Sequence, residues 1–208
     1  MSSSEELLGL FPLGMVLLPG EVVPLHIFEE RYKRLIGERA EGGEFGMVLV
    51  EGEGLRECGC AATVADIVER LDEGRLNILV QGTRRFRLVE LREPADPETE
   101  YLSAVVEYYA DQEAGAPAVL QEGVLAVFRR MLLLMDVESP REPEGEGPLS
   151  FRLAAAVDFG APLKQELLES VSEEQRLQAL LAVMEALIPR LELRKEREEA
   201  IRGNGKGY

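Results

Sequence analysis

A single histidine, two cysteines and one basic-aromatic cluster are the side chains whose types and spacing could do chemistry in this chain. His26 is the sole histidine, so any imidazole base or ligand would have to be this residue. It stands between Leu25 and Ile27 in an apolar extended run, a setting for a hydrogen-bonded structural histidine, and no Ser or Cys lies in a recognisable nucleophile motif to pair with it. Cys58 and Cys60 would face the same way on a strand, but with one histidine they cannot complete a structural zinc site within one chain. They read as small packing residues, with a metal bridged between two chains as the alternative; no metal and no cofactor are expected. Arg84, Arg85 and Arg87 around Phe86 could form a nucleic-acid patch with a stacking platform. The alternation of Arg85 and Arg87 with Phe86 and Leu88 reads instead as a solvated face opposite a core face. A hydrolytic or cation-binding carboxylate pair needs a defined separation across the fold, and solubility accounts for most of the acidic residues. The glycine-rich run Gly203 to Gly207 lacks both the preceding strand and the spacing of a phosphate loop.

Charge narrows the partners. Thirty-nine acidic against 23 basic side chains give a formal charge of −16, which repels phosphate backbones and anionic lipid, so neither nucleic acid nor membrane is an expected partner. Met1-Ser2-Ser3-Ser4-Glu5-Glu6 lacks the basic flank and apolar run of a signal peptide, and the dense apolar patch Met131 to Met135 is far too short to span a bilayer. Two close cysteines suit a reducing compartment, and the expected location is cytoplasmic.

The elements that must position these residues change character near residue 112. Residues 1–112 read as a β-rich subdomain and 113–208 as a helical one, within an α+β class. Pro12, Pro19-Gly20 and Pro24 remove backbone donors, placing the first extended segments at edges or bulges. Helical character starts at Phe28 and stops near Gly42-Gly43. Phe45 to Val50 reads as a strand buried on both faces, and Asp72-Glu73-Gly74 as a hairpin loop between Cys60–Leu71 and Arg75–Gln81. Gly82 suits a sharp corner. The apolar alternation of Phe86 and Leu88 switches phase at Val89 and Leu91, which predicts a bulge near Leu88. Five or six such strands predict a coiled or barrel-like sheet. A wide-faced, largely buried helix is expected from about Ala118 to Met135, where Leu132 to Met135 reads as core, with an adaptable apolar binding surface as the alternative. Residues 136–148, rich in Pro, Gly and Glu, read as a mobile loop. Ser172 and Gln175 form a capping-box pattern before a long helix that Pro189 should kink, and the tail 203–208 is expected to fray.

Phe11-Pro12-Leu13, Pro24-Leu25-His26-Ile27-Phe28-Glu29 and Arg31-Tyr32, in that order, resemble the opening of small free-standing proteins of the Lon N-terminal, substrate-binding domain family. Phe45-Gly46, the run from Gly59 to Ile67, and Asp72 through Gly82 to Arg85-Phe86 resemble its central hairpin and following strand. Leu153-Ala154-Ala155, Lys164 to Glu169 and Arg176-Leu177 resemble its helical part. The resemblance implies a β-rich, PUA-like pseudo-barrel followed by an α-helical bundle. In the full-length protease this domain precedes an ATPase and a Ser-Lys peptidase; here the domain is expected to stand alone and to be no enzyme.

The expected function is therefore a non-catalytic module for proteins or peptides, recognising unfolded or exposed segments or acting as an adaptor in protein quality control. A groove at the junction of the two halves, lined by Leu18, Phe28, Tyr32 and Phe45, is the expected site. The alternatives are a small-ligand-binding or hydrolytic enzyme with His26 as its base, and an RNA-binding PUA-like protein.

Overall fold

The computed structural model describes residues 5–39, 42–112 and 115–204. Six strands, β1 (Glu5–Leu13), β2 (Val22–Ile27), β3 (Phe45–Glu51), β4 (Gly54–Arg70), β5 (Leu76–Arg92) and β6 (Ser103–Tyr108), are interrupted by one helix, α1 (Glu30–Arg39). Four helices follow: α2 (Ala118–Leu134), α3 (Leu149–Ala156), α4 (Ala161–Glu169) and α5 (Glu173–Asn204). β1 serves two neighbours, running antiparallel to β6 through Glu5–Gly9 and parallel to β3 through Leu10–Leu13. β3 pairs with β4, β4 with β5, and the second half of β5 with β6, so five strands close a ring. This is the barrel-like sheet that the sequence predicts. Closure leaves no free edge within the ring.

A small core fills the ring, built from Leu8, Leu10, Val48, Ala61, Phe86, Ala104 and Val106. Phe86 takes the space that side chains at Gly46 and Gly59 would need: a Cβ on Gly59 would lie 2.5 Å from its ring. Beyond the ring β4 and β5 continue as an arm, joined by a short turn at Asp72–Gly74, and β2 lies along β5 from Leu76 to Gln81. Gly82 marks the change from ring to arm. The expected corner there is a register slip against β4 within one continuous strand, and the β1–β2 loop crosses so closely that a Cβ on Gly82 would sit 2.2 Å from the Leu18 carbonyl oxygen. A second slip, between Leu88 and Glu90, is the bulge that the phase switch predicts.

The larger core joins sheet and helices, from Phe11, Leu18, Ile78 and Val80 to Phe128, Leu153, Leu167 and Leu180. The change of secondary structure near residue 112 is thus no break in packing. α2 differs from its expected burial. Only Val124, Phe128 and Met131 are buried, a narrow i, i+4, i+7 stripe, while Leu133 and Met135 are exposed and Leu132 packs half-buried against the core. Residues 135–148 hold no helix or strand, and Pro189 lies inside α5 without ending it. Of the tail 203–208, residues 203 and 204 end α5 and the others lie outside the described residues.

Arg85 corrects the sequence reading most sharply. It faces away from the ring's interior, as alternation requires, yet is 3% exposed because α3, α4 and α5 cover that outer face. Its guanidinium donates to Asp111 and to the Leu168 (3.0 Å) and Ser170 (2.5 Å) carbonyls at the end of α4. Arg176, fully buried on α5, donates to the same Asp111 carboxylate, to Ser150 Oγ (2.8 Å) and to Glu173 (2.8 Å). Phe151 lies beneath both cations, 4.4 Å from Arg176 and 5.6 Å from Arg85. Burial without such partners would be prohibitive for two guanidinium groups. The clamp fixes β5, α3, α4 and α5 together.

Candidate functional site

The arm carries the free edges that the ring lacks, one along β2 and one along β4 beyond Ala62. Among the described residues β2 pairs only with β5, so the other side of Val22–Ile27 offers unpaired backbone groups, interrupted at Pro24. Strand alternation sends Val23 and Ile27 into the core and leaves Val22, Pro24 and His26 exposed. Immediately after the strand, Phe28 is 58% exposed.

Phe28 is exposed but not isolated. Its ring lies 5.7 Å from the His26 ring at an interplanar angle of 24°. His26 Nδ1 lies 2.7 Å from Asn77 Oδ1, and Asn77 Nδ2 donates to Glu69 Oε2 at 2.9 Å. Because the amide spends its N–H on the carboxylate, Oδ1 accepts, and His26 Nδ1 must carry the proton and donate. The row crosses three strands because the register sets His26 beside Asn77 and Asn77 beside Glu69. It holds the His26 ring in place beside Phe28 at a free edge, which lowers the ordering cost of a contact made on that ring. No nucleophile stands in this row, which leaves the His26 ring beside Phe28 as its most exposed aromatic surface.

The four residues expected to line one groove do not share an opening. Leu18 and Phe45 are fully buried, Tyr32 is buried with its ring stacked 4.0 Å from Phe11, and Phe28 alone presents its ring to solvent. Clefts of about 490, 420 and 340 Å³ lie where sheet and helices meet, and none of the four lines them. Sequence alone marks these residues as large and apolar, and the same property that suits a groove suits a core. The row of His26, Asn77 and Glu69 was hidden from the sequence because the register between β2, β5 and β4 creates it.

The remaining candidates have structural surroundings. Cys58 and Cys60 are both buried and free, and burial pushes the Cys60 thiol well above the usual thiol range. Phe86 is fully buried and offers no stacking face, while Arg84 is paired with Glu44 at 2.5 Å and lies 3.6 Å over the Tyr108 ring. Among the described residues no helix is long and apolar enough to cross a membrane.

Residues 8–186 match the family of ATP-dependent protease La (LON) substrate-binding domains. The chain is 28% identical to Lon protease 2 of Myxococcus xanthus over 95% of its own length and 26% of that protein's. It is 25% identical to the Lon protease of Brucella suis over 92% of its length and 25% of that protein's. The chain thus spans about a quarter of the length of the curated relatives it matches. Among solved structures, the Lon N-terminal domain protein from Xanthomonas campestris superposes with a TM-score of 0.67 at 26% identity, covering 85% of this chain and 98% of that one. The N-terminal domain of the Mycobacterium avium complex Lon protease shares the fold, with a TM-score of 0.63 at 18% identity over 86% and 98% of the two chains.

Proposed function

Because the chain belongs to the ATP-dependent protease La (LON) substrate-binding domain family, we propose that it is a non-catalytic module that holds unfolded or exposed polypeptide segments against β2 and Phe28. The exposed pair of His26 and Phe28 at an unpaired strand edge carries this reading. An extended segment can pair its backbone with the free side of β2 while its alternate apolar side chains meet Val22 and Phe28. Covering the exposed part of a Phe side chain is worth on the order of 1–2 kcal/mol. An acidic molecule of formal charge −16 also repels copies of itself and favours basic clients. In a cell such a module passes its client to separate machinery, as an adaptor in protein quality control.

The test is binding to a reduced and alkylated, permanently unfolded protein, read by fluorescence anisotropy. Phe28→Ala is expected to weaken binding about tenfold while leaving folding stability within about 0.5 kcal/mol, the usual range for an exposed substitution. Undiminished binding by Phe28→Ala would remove β2 and Phe28 as the site, and no binding by the wild type would remove the function.

A further inference from the structure

We infer that the cleft of about 490 Å³ beside the start of β2 is the anchor pocket for that same client, and that it selects an apolar side chain flanked by lysine or arginine. The inference rests on the polypeptide-binding reading above and adds a second subsite and a substrate class to it.

The cleft is assembled from three parts of the chain. Gly20 of the β1–β2 loop and Gln81 of β5 form one wall, Glu144 and Glu146 of the α2–α3 connection form the other, and Phe151 and Ala155 of α3 lie between them. Both walls are tied down. Gly20, at φ 81°, donates its N–H to the Gly82 carbonyl at 2.8 Å, a conformation glycine adopts without strain. Opposite, Arg152 Nη1 donates to the Pro143 carbonyl at 2.7 Å and its Nη2 lies 3.6 Å from Glu142.

Charge decides the occupant. Arg152 is engaged with Glu142 and Pro143, and among the described residues neither Glu144 nor Glu146 has a cationic side chain within salt-bridge distance. The lining therefore holds two carboxylates without an ion-pair partner against one engaged cation, Arg152, above apolar surface supplied by the exposed Ala155 and Ala156, with Phe151 almost wholly buried beneath. An acidic segment would meet like charge there and across the molecule, whereas a lysine or arginine beside an apolar residue satisfies both the carboxylates and the apolar surface. The volume falls within the range of ordinary ligand pockets and exceeds the needs of one side chain.

Position links the cleft to the strand. Gln81, in its wall, is the register partner of Val22, from which the exposed positions run through Pro24 and His26 to Phe28. At roughly 3.3 Å per residue that track is about 20 Å long, so seven extended residues cover Phe28 to Val22 and a client of about nine reaches the cleft at Gly20.

Two labelled decapeptides test this on the full chain: one alternating Leu and Phe with Arg and Lys, the other with Glu in place of each basic residue. The basic peptide should bind at least tenfold tighter at low salt, and Glu144→Gln with Glu146→Gln should cut that preference at least fivefold. Ala155→Trp, at an exposed helix position, should fill the cleft and weaken the basic peptide about tenfold with the circular dichroism spectrum unchanged. If both variants bind the basic peptide as the wild type does, or if the wild type prefers the acidic one, the pocket is not the anchor; loss of affinity in Phe28→Ala would then leave the strand site standing. A wild-type dimer in sedimentation that Ala155→Trp dissociates would make a second copy the occupant and overturn the inference. Failure of the wild type to bind either peptide overturns it too, and the unfolded-protein assay then decides separately whether the broader function stands.

Discussion

Asp111 is shared by two buried cations, Arg85 on β5 and Arg176 on α5, and each also reaches carbonyl or hydroxyl oxygens across the helices. Removing that carboxylate leaves two guanidinium groups facing each other over Phe151. Asp111→Asn is expected to destabilise the fold by about 3–5 kcal/mol in urea denaturation, as for a broken buried ion pair. A loss under 1 kcal/mol would show that Glu173 and the carbonyls suffice. Sequence alternation placed Arg85 correctly on the outside of the sheet but equated outside with solvent. The equation fails wherever helices pack on a barrel's outer face, and nothing local to Arg84-Arg85-Phe86-Arg87 announces those helices. Phe28 is the converse case: its type and position were legible, whereas its exposure depends on α1 beginning two residues later, at Glu30.

At the scale of elements, backbone proximity limits substitution where the β1–β2 loop crosses β5. Gly82→Ala would place its Cβ 2.2 Å from the Leu18 carbonyl oxygen, a backbone atom that cannot rotate away. A loss of about 3 kcal/mol or more is expected in thermal or urea unfolding, and a neutral effect would mean that this loop yields freely. Tyr108 at the end of β6 makes strand pairing sensitive to alkali, since burial pushes its hydroxyl up to about 12. An unfolded tyrosine ionises near 10, so this contribution is complete below pH 10 and is lost as pH rises toward 12. Buried Tyr32 and half-buried Tyr109 are shifted in the same direction, chiefly by desolvation. Unfolding midpoints are expected to fall above pH 10 together with the rise of tyrosinate absorbance; ionisation at pH 10 without loss of stability would contradict the burial. The bulge near Leu88 was readable because alternation changes phase there, and the start of α5 because Ser172 Oγ accepts the Gln175 N–H at 3.3 Å. The return half of that capping box is absent: Gln175 Oε1 accepts from Ser170 Oγ at 3.5 Å. α2 was readable in extent but not in exposure, because apolar content does not reveal that its Leu133 and Met135 end lies beyond the core.

For the whole molecule, a closed ring and a helical cover share one core with the arm, whose outer face and edge are left exposed. The ring, the sheet–helix core and the clamp take up most of the large apolar and buried charged residues, and the arm keeps a strand with one unpaired edge, an exposed aromatic pair and the edge of a cleft. The family was legible from the order of its segments, while the surface proposed for binding was not, because it is assembled only by the register of β2 on β5 and the fold of the α2–α3 connection. The most direct measurement is amide hydrogen exchange of the full chain with and without the unfolded protein. Slower exchange is expected at the non-proline amides from Val22 to Phe28, with the ring strands unchanged. Protection confined to another surface, or unchanged exchange along β2 at saturating client, would contradict the role of β2 as the binding edge.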